Sequence, residues 1–281
     1  MNMKTTFYKY QGAGNDFLIA DNRDGSLQLT TEQIETLCDR RYGVGADGLM
    51  LLESSGQYDF RMVYYNSDGS GGMMCGNGGR CMVAFAADMG ITHFDFEAAD
   101  GFHTAEILSS EGVLKTVRLK MKDVASIETY EKLTGVKVPS SGSFLDTGTR
   151  HYVRFVRDID AYDIVNEGCE IRYNAAELQP IGANVNYVEP LDGYIKVRTY
   201  EKGVEDETFA CGTGIVASCV AAYAAAYLPS AVLSDGRVKY DVQAKRDRLS
   251  VDFIPSEKIV AEDVWLTGPA TFVAEIIVDI Y

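Results

Sequence analysis

The sequence predicts a mixed α/β chain built as two similar halves, and three observations point there. Short segments rich in β-branched and aromatic residues recur along the whole length. Two long, nearly uncharged stretches, one after Cys75 and one after Cys211, have the composition of buried helices. The segment Arg61-Met-Val-Tyr-Tyr-Asn66 aligns with Lys196-Val-Arg-Thr-Tyr-Glu201, and a cysteine follows after nine and ten positions respectively, which is the mark of an internal duplication.

The 281 residues suffice for two compact units of roughly 140 residues each. A chain that is 46% hydrophobic and 24% charged is ordinary globular protein, which excludes disordered and fibrous classes. Acidic residues outnumber basic ones 41 to 26, and a net charge of −15 repels phosphate backbones and anionic lipid. Neither nucleic acid nor membrane is an expected partner. The opening, Met1 to Phe7, has no apolar stretch of the kind a signal peptide needs. The longest apolar run, Ile215 to Leu228, is interrupted by Ser218 and stopped at Pro229, too short for a bilayer of about 30 Å. A cytoplasmic chain is therefore expected. Six cysteines without a Cys-x-x-Cys pair fit reduced thiols rather than a disulfide framework, and with three scattered histidines they offer no zinc cluster.

In chain order, strands are expected near Phe7–Tyr10 and Phe17–Asp21. A helix follows over Thr30–Arg41, where Thr30 and Gln33 form a capping-box pair and Ile34, Leu37 and Cys38 share one face. Further strands are predicted at Leu49–Leu52, Phe60–Asn66, His93–Ala98, Thr104–Leu108 and Leu114–Met121, with a buried helix over Asn77–Met89. The least patterned stretch, Lys122 to Gly142, contains Pro139-Ser-Ser-Gly142 and is the natural crossing between halves. The second half has strands at His151–Val156, Val185–Glu189, Tyr194–Glu201, Val238–Gln243, Leu249–Ile254 and Val264–Thr267, and its buried helix opens at Cys211-Gly-Thr-Gly214. Gly268-Pro269 reads as a turn, after which the β-prone run Thr271–Tyr281 returns to the first half. The boundaries are thus 1–121 plus 269–281 for the first lobe and 122–268 for the second.

A cysteine beside glycines at a helix start meets backbone N–H groups and the positive end of the helix dipole, both of which stabilise a thiolate. Gly76, Gly78, Gly79, Gly212 and Gly214 leave those N–H groups unshielded, so each helix start also suits a carboxylate. Taken alone, either site also admits the reading of a tight packing turn with a small core cysteine. Two such cysteines in corresponding places form a pair of acid/base thiols facing a substrate held between the halves, suited to removing a proton from one face of a carbon and returning it to the other. That is racemase or epimerase chemistry. Cys81 and Cys219, inside the apolar helices, read as core fillers, as do Cys38 and Cys169, and His93 and His103 lie outside any motif.

Gln11-Gly-Ala-Gly-Asn-Asp-Phe17, Gly43-Val-Gly-Ala-Asp-Gly48, Tyr65-Asn-Ser-Asp-Gly69, Met74-Cys-Gly-Asn-Gly-Gly-Arg80, Tyr200-Glu-Lys-Gly203 and Ala210-Cys-Gly-Thr-Gly214 stand in the order of the diaminopimelate epimerase family, which the chain resembles over nearly its whole length. The resemblance implies an α/β (α+β) fold of two pseudo-symmetric lobes, each a mostly antiparallel sheet wrapped around a central buried helix. It implies a cofactor-independent homodimer that interconverts LL- and meso-diaminopimelate in the lysine and peptidoglycan route. It assigns Cys211 as proton acceptor and Cys75 as donor in the LL to meso direction. Gly76, Asn77, Gly212 and Thr213 would bind the α-carboxylate; Asn15, Asn66, Asn184 and Glu201 would hold the amino and distal groups. His151 and Glu201 would support the thiols, His151 by holding charge near a thiolate.

The sequence departs from the family at three substrate-side positions. Lys202 replaces the usual arginine, and Thr149 stands where asparagine is frequent. Gly48 takes a position that is glutamine in some members. The segment Gly203–Thr208 is one residue longer than usual, which alters the loop before Cys211 without moving the helix start. A proline or hydroxyproline racemase is the nearest rival, but its first box typically has histidine where this chain has Asn77. The phenazine-related isomerases of that fold lack the cysteine pair, and a thiol redox protein is the rival from another class.

Overall fold

The computed structural model describes residues 3–129, 142–175 and 178–280. The chain forms two compact units, 1–119 with 268–281 and 120–267. The crossing stretch expected at 122–142 falls partly on residues 130–141, Pro139 included, which lie outside the described residues.

The first unit contains β1 (Met3–Gly12), β2 (Asn15–Asp21), helix α1 (Thr31–Cys38), β3 (Gly48–Glu53), β4 (Phe60–Asn66), helix α2 (Gly76–Asp88), β5 (Asp95–Ala98), β6 (Gly101–Glu111) and β7 (Leu114–Lys120). β1 pairs antiparallel with β2, β2 parallel with β3, β3 antiparallel with β4 and β4 parallel with β5; β5, β6 and β7 follow antiparallel. The later part of the last strand of the chain, β17 (Ala261–Ile280), pairs with β7 and then β1 and closes the ring. A closed ring has no free edge to protect. It surrounds α2, which lies against β1, β2, β3 and β6 and is buried from Gly76 through Ala86. On the outer face α1 packs Ile34, Leu37 and Cys38 against Leu18, Ala20, Leu49 and Leu51. The alternation of β2 serves both layers, because successive side chains point to opposite faces.

The second unit contains β8 (Ile127–Thr129), β9 (Ser143–Asp146), β10 (Arg150–Phe155), a short 3-10 turn, helix α3 (Ile164–Asn174), β11 (Asn184–Leu191), β12 (Tyr194–Glu201), β13 (Asp206–Thr208), helix α4 (Gly212–Ala224), β14 (Ala231–Val232), β15 (Val238–Gln243), β16 (Arg248–Pro255) and the first part of β17. β10 is parallel to β11, β11 antiparallel to β12, β12 parallel to β15, and β16 and β17 follow antiparallel. This is the pairing order of β2 through β7, and it is the structural form of the duplication read from β4 and β12. Helix α4 lies against β9, β10, β11, β12 and β16, and α3 packs Ile164 onto Val185, Tyr187 and Tyr200 as α1 does in the first unit. The α+β reading, with sheet wrapped around a central helix in each half, matches this architecture.

The structure differs from the sequence expectation in four respects. Helix α1 stops at Cys38 rather than Arg41, because the Asp39 carboxylate takes the N–H groups of Arg41 and Tyr42 at 2.6 Å each and turns the chain out. Gly268-Pro269 is not a turn: β17 runs straight through it, with Pro269 opposite Thr116 and ahead of Thr271, where pairing with β1 begins, so its missing N–H costs no second ladder bond. Helix α3 was not expected at all. Its start signal is Asp163, whose side chain accepts from the Asn166 N–H, but its polar body hides the apolar stripe. The short strands β8, β9, β13 and β14 carry too few residues to show a period.

The capping box of α1 is complete: Thr30 Oγ1 accepts from Gln33 N and Gln33 Oε1 accepts from Thr30 N. Replacing Thr30 by alanine is expected to cost about 1 kcal/mol, read as a lowered midpoint in urea unfolding at unchanged slope.

Candidate active site

In the first unit Cys75 is the N-cap of α2, with extended backbone, and its Sγ accepts from the Gly78 N–H at 3.2 Å. A thiolate in that place gains a charge-assisted hydrogen bond and the positive end of the helix dipole. A side chain at Gly78 would press on Cys75 Sγ at 3.2 Å and on Met50 Sδ at 3.4 Å. Behind the helix start lies Arg80, fully buried, which donates to the Gly76 carbonyl at 3.1 Å, to Asn77 Oδ1 at 2.8 Å and to the Pro269 carbonyl at 3.3 Å. Asn77 Nδ2 in turn donates to Asn15 Oδ1 at 2.6 Å, and Asn15 Nδ2 to Asp47 Oδ2 at 3.1 Å. Arg40 grips Asp47 and Asp16 together, and with Lys9 it holds the Asp16 carboxyl down to about 2 despite its burial. The two asparagines are therefore fixed in orientation. Asn66 is used differently: its amide donates to Ser70 within its own turn at 3.0 Å.

In the second unit Cys211 is the N-cap of α4, buried, with Sγ 3.5 Å from Thr213 Oγ1. The Glu201 side chain is hydrogen-bonded to Cys211 and accepts from Thr208 Oγ1 at 2.8 Å. Burial pushes the Glu201 pKa up, and those two hydrogen bonds only partly offset it. His151 is fully buried, with Nε2 2.9 Å from Thr149 Oγ1 and 3.0 Å from Thr213 Oγ1, and with Nδ1 3.1 Å from Asn186 Nδ2. Asn184 Nδ2 donates to the Arg150 carbonyl at 3.1 Å, and Asn184 Oδ1 accepts from the Lys202 N–H at 2.9 Å. The strand register makes this cluster: His151 lies beside Asn184 and Asn186 opposite Thr199, so these residues share one face of β10, β11 and β12.

All eight residues singled out in the second half thus fall in one neighbourhood, and Asn15, Cys75, Gly76 and Asn77 in one neighbourhood of the first. His151 differs from the expectation in its charge. Burial lowers its pKa to about 3, so near pH 7 it is a neutral donor and not a cation beside a thiolate. The Lys202 side chain and Thr149 are exposed. At Gly48 an added side chain would collide with the Tyr64 ring, so that aromatic fills the space a longer residue would take. Within Gly203–Thr208, Glu205 lies in the left-handed region at φ 58°, and the hairpin keeps Thr208 at Glu201.

Arg80, Asp47, Asn186, Thr199 and Thr208 escaped the sequence reading. A signal existed for Asn186: in Asn184-Val-Asn-Tyr-Val188 two polar residues sit two apart in an apolar strand, which places both on one face. Of the remaining thiols, Cys38, Cys81 and Cys219 are core residues, Cys81 and Cys219 raised by burial and Cys38 pushed up to about 11, while Cys169 is half-buried. Among the described residues no group of three or more His, Cys, Asp or Glu side chains is placed to hold a metal ion, and no helix is long and apolar enough to cross a membrane.

Two matched units, each a sheet wrapped around a helix opened by Cys-Gly, define the class of the fold. Solved structures of that class include a phenazine biosynthesis protein of the PhzF family from Bacillus anthracis, at TM-score 0.72 and 16% identity over 98% of this chain and 99% of that one. They also include a probable proline racemase from Agrobacterium radiobacter, at TM-score 0.69 and 15% identity over 97% and 92%. At such identities the likeness is one of fold. The sequence profile described as diaminopimelate epimerase matches residues 7–123 and 143–254. Relatives of that name from Flavobacterium psychrophilum and Chlorobaculum tepidum are each 41% identical, the first over 95% of this chain and 98% of the relative, the second over 92% and 95%. The chain belongs to the diaminopimelate epimerase family, whose members are isomerases.

The two glycines three residues into the helices make unequal demands. At Gly214 an added Cβ would collide with Asn186 Oδ1, whereas at Gly78 it meets side-chain atoms alone, pressing on Cys75 Sγ at 3.2 Å, which must give by a few tenths of an ångström. Gly214→Ala is expected to lose about 1–3 kcal/mol, while Gly78→Ala stays within about 1 kcal/mol of the parent because helix propensity offsets the crowding; chemical denaturation separates the two. The buried His151 also sets a pH dependence. Between pH 6.5 and about 3 the unfolded chain binds a proton at this residue that the folded chain refuses, so stability falls as pH drops below 6.5. From pH 6.5 to 5 the parent should lose about 1.6 kcal/mol in all relative to His151→Gln, the slope steepening towards about 1.4 kcal/mol per pH unit, measured by urea unfolding of both.

Proposed function

We propose that this chain interconverts LL- and meso-2,6-diaminopimelate without a cofactor, by a two-base mechanism with Cys75 and Cys211 as the acid/base pair. The observation that carries this reading is the family match across both Cys-Gly helix starts, each of which has a cysteine as the N-cap residue of a buried helix. In the LL to meso direction the Cys211 thiolate takes the α-hydrogen as a proton, breaking the C–H bond and forming S–H. The Cys75 thiol delivers its own proton to the opposite face of the carbanion and is left as thiolate. In the reverse direction the roles exchange. An α-hydrogen of an amino acid is barely acidic, so the developing charge must be held, and the N–H groups at Gly76, Asn77, Gly212 and Thr213 are suited to the α-carboxylate.

Glu201, raised by burial and bonded to Cys211, is suited to receive the thiol proton and keep that sulfur ionised. His151 supports the same sulfur through Thr213. Asn15, Asn66, Thr149, Asn184, Glu201 and Lys202 hold the amino and distal groups of the substrate, with Lys202 acting as a point charge in place of a bidentate guanidinium. The enzyme works as a cytoplasmic homodimer supplying lysine and peptidoglycan precursors.

The test is proton NMR of LL-diaminopimelate in D₂O with reduced protein and no added cofactor. The expected result is exchange of the α-hydrogen for deuterium together with appearance of the meso isomer. Exchange of proline or hydroxyproline with inert diaminopimelate would overturn the substrate assignment. Cys75→Ser and Cys211→Ser should each lower turnover by at least about 100-fold with an unchanged far-ultraviolet circular dichroism spectrum; near-parental turnover in either variant would refute the two-thiol mechanism.

A further inference from the structure

Asn186 belongs to no motif, is fully buried, and has every polar atom of its side chain placed. Its Nδ2 lies 3.2 Å from the Tyr152 carbonyl, and a backbone carbonyl only accepts, so the amide orientation is fixed: Nδ2 faces Tyr152 and His151, and Oδ1 accepts from Thr199 Oγ1 at 2.9 Å. The same Nδ2 is 3.1 Å from His151 Nδ1. A neutral imidazole has one donor and one acceptor, so Nδ1 is the acceptor and the proton sits on Nε2. Nε2–H points at the hydroxyls of Thr213 and Thr149, at 3.0 and 2.9 Å. A Thr213 oxygen that accepts from Nε2–H turns its own hydrogen away from the ring, where two acceptors lie, Thr149 Oγ1 at 3.2 Å and Cys211 Sγ at 3.5 Å; of these a thiolate, being charged, is the stronger. Thr213 is held for this by a second contact, from Thr147 Oγ1 to its carbonyl at 3.0 Å. Gly214 leaves the space that Asn186 Oδ1 occupies.

We infer that Asn186 is a positioning residue for the Cys211 thiolate: it fixes the His151 tautomer, which through Thr213 aims a hydroxyl hydrogen at Cys211 Sγ. The inference deepens the proposed role of Cys211 and rests on it for its catalytic meaning, but the hydrogen-bond chain has readouts of its own. The first is the tautomer. With only three histidines in the chain, a long-range proton–nitrogen NMR spectrum assigns each ring. His151 should carry its proton on Nε2 in the parent. In Asn186→Asp the carboxylate requires a donor from Nδ1, so His151 should become Nδ1-protonated, and above its new, higher pKa it should lose the Nε2 proton.

The second readout is the thiol itself, by the rate of iodoacetamide alkylation of each cysteine against pH, resolved by peptide mass spectrometry. In Asn186→Ala and in Asn186→Asp above the new histidine pKa, alkylation of Cys211 at neutral pH should slow by about 10-fold, the worth of one hydrogen bond to a charged group. Cys75 should be unaffected, which serves as the control for folding. If the parent epimerises diaminopimelate, kcat should fall by a similar factor with KM within about twofold, and the Asn186→Asp rate should decline on the alkaline side where the parent rate does not. An Nδ1-protonated His151 in the parent would overturn the inference, as would Cys211 alkylation unchanged in both variants. Loss of Cys211 reactivity with a parent that leaves diaminopimelate untouched would keep the positioning role and discard the epimerase reading.

Discussion

A helix buried on all sides satisfies its own backbone everywhere except at its ends, where the first-turn N–H groups have no partner within the helix. Both central helices of this chain place a cysteine at that start, but only Cys75 Sγ accepts a first-turn N–H, from Gly78. The N-cap residue of each is a cysteine and the third residue inside is a glycine; at Gly78 the missing Cβ leaves room for Cys75 Sγ, and at Gly214 for Asn186 Oδ1. The closed ring of strands in the first unit follows from the same demand. Only a sheet that encloses the helix can bury α2 from Gly76 through Ala86, and β17 supplies the piece that closes it.

The two helix starts differ in how they are buttressed. In the first unit the support is cationic and amide-based: buried Arg80 ties the Gly76 carbonyl, Asn77 and Pro269 together, and Asn77 orients Asn15. A buried guanidinium is costly unless its donors are satisfied, and here three acceptors converge on it. In the second unit the support is neutral. His151, Asn186, Thr199 and Thr213 form a chain of uncharged hydrogen bonds whose direction is set by one backbone carbonyl. The carboxylate of Glu201 is the charged partner there, and burial keeps its proton more tightly held than in water.

This contrast gives the duplicated halves different chemistry on a common frame. The pairing order of the strands and the outer and inner helices recur in both units, while the polar residues on the inner faces do not. The family therefore reads in the chain at two levels: apolar periodicity and glycine placement carry the frame, and a handful of inward polar residues carry the site.

The sequence by itself determined the strand-rich halves, the two buried helices and the two Cys-Gly starts, because these depend on local composition, on caps and on glycine, all of which are written within a few residues. It also determined the family through an ordered set of motifs. Only the tertiary structure decided that Gly268-Pro269 continues a strand, since whether a proline is tolerated depends on which neighbours need its missing N–H. The helix over Ile164–Asn174 emerged only from its packing on β11 and β12, which supplies the stability its polar sequence lacks. The charge state of His151 and the role of Asn186 also belong to the fold. Desolvation and hydrogen-bond direction arise from residues far apart in the chain, brought to one face by strand register, and no local pattern encodes them.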